Sequence, residues 1–172
     1  NIQEVSETIY ILDLDIPESP VIIPSEGYPT LTKDGMILET ERLLLKPYEL
    51  EFAEDIYQVV KHKEIADTMV MIPHPYPREV VDSWISYLQK SFEQGTAYEF
   101  AVFLKDSGRY IGNCGLVTVS KTHKNAEVGY FIDVSEWGKG YATEACKKII
   151  DFGFQEHQLN RIYSRCMVRN IA

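Results

Sequence analysis

The 172-residue sequence holds no run near the roughly 18 consecutive apolar residues of a membrane-spanning helix. Its opening NIQEVSETIYILDLDIP has no basic segment ahead of its apolar part, so that stretch does not read as a secretory signal. Basic residues are in deficit: 17 Lys and Arg against 26 Asp and Glu leave a net charge of −9. The positive footprint of nucleic-acid binding is therefore missing, while an acidic surface tolerates a cationic substrate such as an amine or a basic peptide. Cysteine is scarce. Cys114, Cys146 and Cys166 are odd in number and form no CxxC pair, which argues against a disulfide framework and for free thiols in a reducing compartment, the cytoplasm. His62, His74, His123 and His157 are scattered without HExxH or other ligand spacing, so no metal is expected. There is no internal repeat and no low-complexity tract.

What is present is ordinary globular composition, 45% hydrophobic and 25% charged. Residues 1–35 differ from the rest. ETIYILDLDI alternates like a strand, and a proline-rich stretch and the turn TKDG follow, so this part reads as an extension with one strand. The main domain, 36–172, starts at Met36 with a strand around Leu43–Leu45 that Pro47 stops. Helical spacing of apolar residues predicts helices over Tyr48–Lys61 and Arg78–Gln94, with a short one in KEIADTMV. The three prolines of MIPHPYP make a loop there. Tyr98–Leu104, Arg109–Ser120 and Ala126–Val134 read as an antiparallel meander, its first turn the hairpin signal KDSG. A helix over Tyr141–Gln155 and a strand over Leu159–Val168 complete a parallel crossover. The sheet is therefore mixed, of the α/β (α+β) class.

Between the third meander strand and the last helix lies WGKGYAT. A helix N-terminus exposes unpaired N–H groups and the positive end of a dipole. Gly138 and Gly140 leave the approach bare, Ala142 is small, Thr143 adds a hydroxyl and Lys139 a cation, a set suited to phosphate or diphosphate. A plain tight turn is the competing reading. GxxxxGK[ST] is absent. GxGxxG fails at Thr143, and no acidic residue stands about 20 positions on. A P-loop nucleotide and a dinucleotide are both disfavoured.

LETERLLLKPY (38–48), YIGNCGLV (110–117), AEVGYFID (126–133), WGKGYATEA (137–145) and RIYSRCMVRN (161–170) together resemble a GNAT-superfamily N-acetyltransferase of the ribosomal-protein-alanine, Rim-type branch. The resemblance runs from Met36 to the end of the chain. It implies a mixed, mostly antiparallel central sheet with helices on both faces and an acyl-coenzyme A site at a splayed strand pair. Acetyl-CoA is the implied donor, its diphosphate on Gly138, Lys139, Gly140, Tyr141, Ala142 and Thr143, its pantetheine arm along Tyr130, Phe131 and Ile132. Trp137 stands where the superfamily usually has Gln or Arg, and Asn170 is a further donor contact. In the family an Asn at that place opens N-x-x-S, so a C-terminal part of the domain is expected beyond Ala172.

The implied chemistry is direct acetyl transfer to a primary amine of a protein N-terminus or a small molecule. Glu127, on the face of its strand shared with Gly129 and Phe131, is the candidate base, acting directly or through water. A backbone N–H around Phe131 or Ile132 is the candidate oxyanion donor; no general acid is named. The alternative is a non-catalytic acyl-CoA-binding or scaffold protein of the same fold. Residues 1–35 are a candidate for association through a partner's sheet edge, which leaves room for a homodimer.

Overall fold

The computed structural model describes residues 9–14, 36–69 and 72–167. Among the described residues seven strands form one sheet: β1 (Ile9–Leu14), β2 (Leu38–Glu39), β3 (Leu43–Pro47), β4 (Tyr98–Leu104), β5 (Tyr110–Ser120), β6 (Asn125–Ile132) and β7 (Arg161–Met167). Their spatial order is β1-β7-β6-β5-β4-β3-β2. Every neighbouring pair is antiparallel except β6 and β7, which run parallel across the link containing α4 (Tyr141–Gln155). The other helices are α1 (Ala53–Val60), α2 (Lys63–Thr68) and α3 (Val80–Gln94).

The sheet is covered on both faces because its central strands are apolar on both. In β4, Tyr98, Phe100, Val102 and Leu104 join one core with Ile149 and Phe152 of α4. The intervening Ala101 and Phe103 join a second core with Ile56, Ile65, Val81 and Ile85 of α1, α2 and α3. Period-two alternation in the strand meets period-3.6 spacing in each helix. Gly95, with φ +67, ends α3, and its amide returns to the Phe92 carbonyl. Gly108, also at φ +67, closes the β4–β5 turn with its N–H on the Leu104 carbonyl.

Two departures from the predicted boundaries have local causes. The helix expected from Tyr48 begins at Ala53, after a 3₁₀ turn at Leu50–Phe52. Tyr48 is buried, its hydroxyl donates to Asn113 Oδ1 at 2.9 Å, and its carbonyl accepts from Gln89 Nε2. Its backbone and side chain are thus committed to β5 and α3. The strand expected to reach Val134 ends at Ile132, where Asp133 accepts the Ser135 N–H and opens a second 3₁₀ turn, Val134–Glu136. The strand expected near the N-terminus is β1, which pairs antiparallel with β7, from Ile9 opposite Met167 to Leu14 opposite Ile162.

One irregularity in this sheet opens a gap between two neighbouring strands. The β6–β7 ladder contains three pairs only: Asn125 with Arg161, Ala126 with Ile162 and Glu127 with Tyr163. β6 remains paired with β5 as far as Ile132, and β7 with β1 as far as Met167. Beyond Glu127 each strand keeps its outer neighbour and loses its inner one, and the sheet parts.

Candidate active site

The parted edge of β6 carries backbone groups of defined direction. Asp133 donates its N–H to the Ile111 carbonyl of β5. Alternation in an antiparallel ladder turns Phe131 the same way and directs Tyr130 and Ile132 toward the gap. Of the two amides considered for an oxyanion, that of Ile132 therefore faces the gap, and that of Phe131 faces β5. The Ile132 carbonyl is already engaged by the Trp137 indole N–H at 2.6 Å. The side chains divide likewise. Phe131 is buried in the core under α1–α3, against Trp84. Tyr130 is 44% exposed on the α4 face, its hydroxyl pushed up in pKa by burial and by the neighbouring Cys146, Cys114 and Cys166 thiols.

From the end of β6 the chain passes through Trp137 into the glycine turn. Gly138 has φ +74 and Gly140 φ +81, conformations that cost a side-chain-bearing residue about 1–2 kcal/mol. A Cβ at Gly138 would meet nothing within 4 Å, so that position is open. Gly140 is the N-cap of α4 and supplies no side-chain cap. The N–H groups of Tyr141, Ala142 and Thr143 have no backbone or side-chain acceptor among the described residues, while that of Glu144 bonds to the Gly140 carbonyl. Three converging donors at the positive end of a 15-residue helix are what a diphosphate needs.

The cations of this corner are arranged differently from expectation. Lys139 places its ammonium on Glu136 Oε2 at 2.8 Å, and Arg109 also pairs with this buried carboxylate. The guanidinium that meets the turn belongs to Arg42, between β2 and β3. Its Nη1 donates to the Lys139 carbonyl at 3.0 Å, its Nε to Glu144 Oε2 at 2.7 Å, and its plane lies 4.4 Å over the Tyr141 ring. A Cβ at Gly140 would stand 3.5 Å from Arg42 Nη2. Thr40 adds a 2.6 Å hydrogen bond to Glu144. Burial works to raise the Glu144 carboxyl, but the bonds from Thr40 and Arg42 outweigh it and hold it below its ordinary range. Arg42 and Glu144 were not singled out from the sequence: LETERLLLKPY supplied a strand start and part of the family resemblance, and contacts 97 and 102 residues apart carry no periodic signal.

Glu127 lies at the last β6–β7 pair, 9% exposed. Both its oxygens accept from Arg165 of β7, Oε1 from Nε at 3.0 Å and Oε2 from Nη2 at 2.5 Å. The face of β6 that carries Glu127 also carries Gly129, where a Cβ would meet nothing within 4 Å. Deeper under α3, Glu99 accepts from Asn113 Nδ2 at 2.8 Å, and burial raises its carboxyl despite that bond. Among the described residues no group of three or more His, Cys, Asp or Glu is placed to hold a metal, and no helix is long and apolar enough to cross a membrane. Asn170 lies outside the described residues.

The chain is 34% identical over 133 residues to an uncharacterised N-acetyltransferase, p20 of Bacillus licheniformis, which covers 77% of this chain and 74% of that protein. It is similar in fold to RimL, a ribosomal L7/L12 α-N-protein acetyltransferase solved with coenzyme A, with a TM-score of 0.72 at 16% identity over 78% of this chain and 77% of that one. It is also similar to the microcin C7 self-immunity acetyltransferase MccE, solved with acetyl-CoA and AMP, with a TM-score of 0.67 at 19% identity over 76% and 73% of the two chains. The profile of the acetyltransferase (GNAT) domain matches residues 42–172, from the arginine that braces the glycine turn through the parted strands, and the chain belongs to the GNAT family of N-acetyltransferases.

Proposed function

We propose that this enzyme moves the acetyl group of acetyl-CoA directly to a primary amine at the gap between β6 and β7. One observation carries the reading: an uncapped helix N-terminus with two left-handed glycines adjoins a strand pair that separates after three residue pairs. The amides of Tyr141, Ala142 and Thr143 take the diphosphate, with Gly138, Lys139 and Gly140 shaping the turn and Trp137 anchoring it to the end of β6. The exposed groups of Tyr130 and the Ile132 amide pair with the pantetheine arm as an added strand would. Acetyl-CoA then supplies the electrophilic carbonyl. The amine nitrogen forms the C–N bond, the C–S bond breaks, and the thiolate leaves to be protonated. Glu127 removes the ammonium proton, directly or through water, and a gap-facing backbone N–H of β6 nearer to it than the pantetheine contact stabilises the oxyanion.

On this reading 36–172 is the catalytic domain and 1–35 an extension. The Rim-type branch is favoured by the likeness to RimL, which makes a protein N-terminus the first acceptor to try. The test is thiol release from acetyl-CoA over a panel of peptides and small amines. E127Q should lower kcat by about 10²–10⁴-fold with coenzyme A affinity unchanged; wild-type turnover in that variant removes Glu127 from the chemistry.

A further inference from the structure

We propose that Arg165 reads an anionic group on the acceptor, so that the favoured substrates are amines with a carboxylate close to the nitrogen. This rests on the reading that the acceptor amine comes to Glu127.

Arg165 is placed for that task by strand geometry. Glu127 pairs with Tyr163 at the last rung of the β6–β7 ladder. Arg165 lies two residues further along β7, on the same face as Tyr163, beyond the point where the strands part. Its guanidinium reaches back across the gap and forks onto Glu127. The two members differ in access: the Glu127 side chain is 11% exposed and that of Arg165 is 49% exposed. Two of the three guanidinium nitrogens are committed to the carboxylate. Nη1 donates to no acceptor among the described residues. Next to the pair, Gly129 leaves an open space on the same face of β6.

Electrostatics decides what fits there. The charge of Glu127 is already compensated by the guanidinium, and a bidentate Arg–carboxylate pair is among the stronger charge-assisted contacts. A plain ammonium arriving at Glu127 would meet the positive Arg165 within a few ångströms and gain little from a pair that is neutral as a unit. An acceptor that brings its own anion avoids that conflict. Its ammonium sits on Glu127, its carboxylate takes the unused N–H of Arg165, and the four charges alternate. An acidic protein with a net charge of −9 thus presents an arginine at the one place where the acceptor must stop. Two sources supply this chemistry, free amino acids and peptides whose first residue is acidic.

The experiment uses matched acceptors: an amino acid against its amide, and a peptide beginning with Asp against the same peptide beginning with Asn. Affinity is read by calorimetry on the coenzyme A-loaded protein, and kcat and KM by thiol release. In the wild type the carboxylated member of at least one pair should bind about tenfold tighter or more. This preference runs against intrinsic reactivity in the first pair, because an amino acid amide loses its ammonium proton more easily. R165M should abolish or invert the preference through KM, and R165K should restore part of it. A purely structural role would weaken both members of a pair equally. Preference confined to the first pair assigns free amino acids, and preference confined to the second assigns acidic N-termini. Equal affinity within both pairs, or an equal loss within each pair in R165M, overturns the proposal. Loss of turnover in E127Q with the binding preference intact bears on the base assignment and leaves this one standing.

Discussion

Arg42 stands 97 residues before Lys139, the residue whose carbonyl it holds, and it is the clearest case of a group that matters through its placement. It links the β2–β3 turn to Glu144 and Tyr141 of α4 and brings a guanidinium to the glycine turn, where Trp137 supplies no cation. A guanidinium beside the turn adds a charge-assisted contact for a diphosphate, so R42M should raise KM for acetyl-CoA about tenfold or more. The same variant should leave the kinetics with S-acetylpantetheine, which has no diphosphate, within about twofold of wild type. Equal losses with both donors would mean that Arg42 serves the fold alone. Glu127 is the opposite case. Its strand and face were readable from the alternation in AEVGYFI, and it was singled out as a base, yet the sequence carried no sign of Arg165, 38 positions on, as its partner. Local period assigns a side chain to a face. It does not say which charge will cross a gap to meet it.

At the scale of elements, the glycine turn and α4 were legible because their determinants are local. Glycines one residue apart before an amphipathic run specify a left-handed entry to a helix, and both have positive φ. Gly138→Ala and Gly140→Ala should each cost about 1–2 kcal/mol in unfolding free energy, measured by urea titration. Gly140→Val should also weaken coenzyme A binding by calorimetry, because its side chain points toward Arg42 Nη2. Further along α4, a Cβ at Gly153 would lie 2.7 Å from Ile162 Cδ1 and 3.0 Å from Leu116 Cδ1. Gly153→Val should therefore destabilise by about 1–3 kcal/mol through overpacking, read as a lower urea midpoint at an unchanged slope. A splayed strand pair was implied by the family resemblance, but the strand pattern itself did not carry the parting of β6 from β7. Both strands read as continuous apolar alternations, and ladder length depends on how a strand twists against neighbours that lie far away in sequence.

For the molecule as a whole, the two cores settle the architecture and a histidine sets part of its acid tolerance. His157 stacks on Tyr98 at 4.0 Å and meets the edge of Phe152, and its Nε2 is buried without a partner among the described residues. Burial, with the nearby Lys121 ammonium, pushes its pKa down to about 4. Between about 6.5 and about 4 the unfolded chain binds a proton that the native state refuses. Stability should accordingly be full above the upper limit and decline as pH falls through this window. Thermal melts should show H157F, which keeps the ring, losing that slope while the wild type retains it. The mixed sheet, its meander and its crossover were evident from element order alone, because short links force antiparallel neighbours and a helical link permits a parallel one. The two tryptophans also occupy unlike surroundings. Trp84 lies inside the aromatic cluster of Tyr48 and Phe131, whereas Trp137 is 46% exposed and tethered to Ile132 where the chain turns toward α4. Emission from the solvent-facing indole is thus a built-in optical reporter of that corner. A blue shift or quench on adding coenzyme A, absent in W137F, would let occupancy be followed in real time without a label.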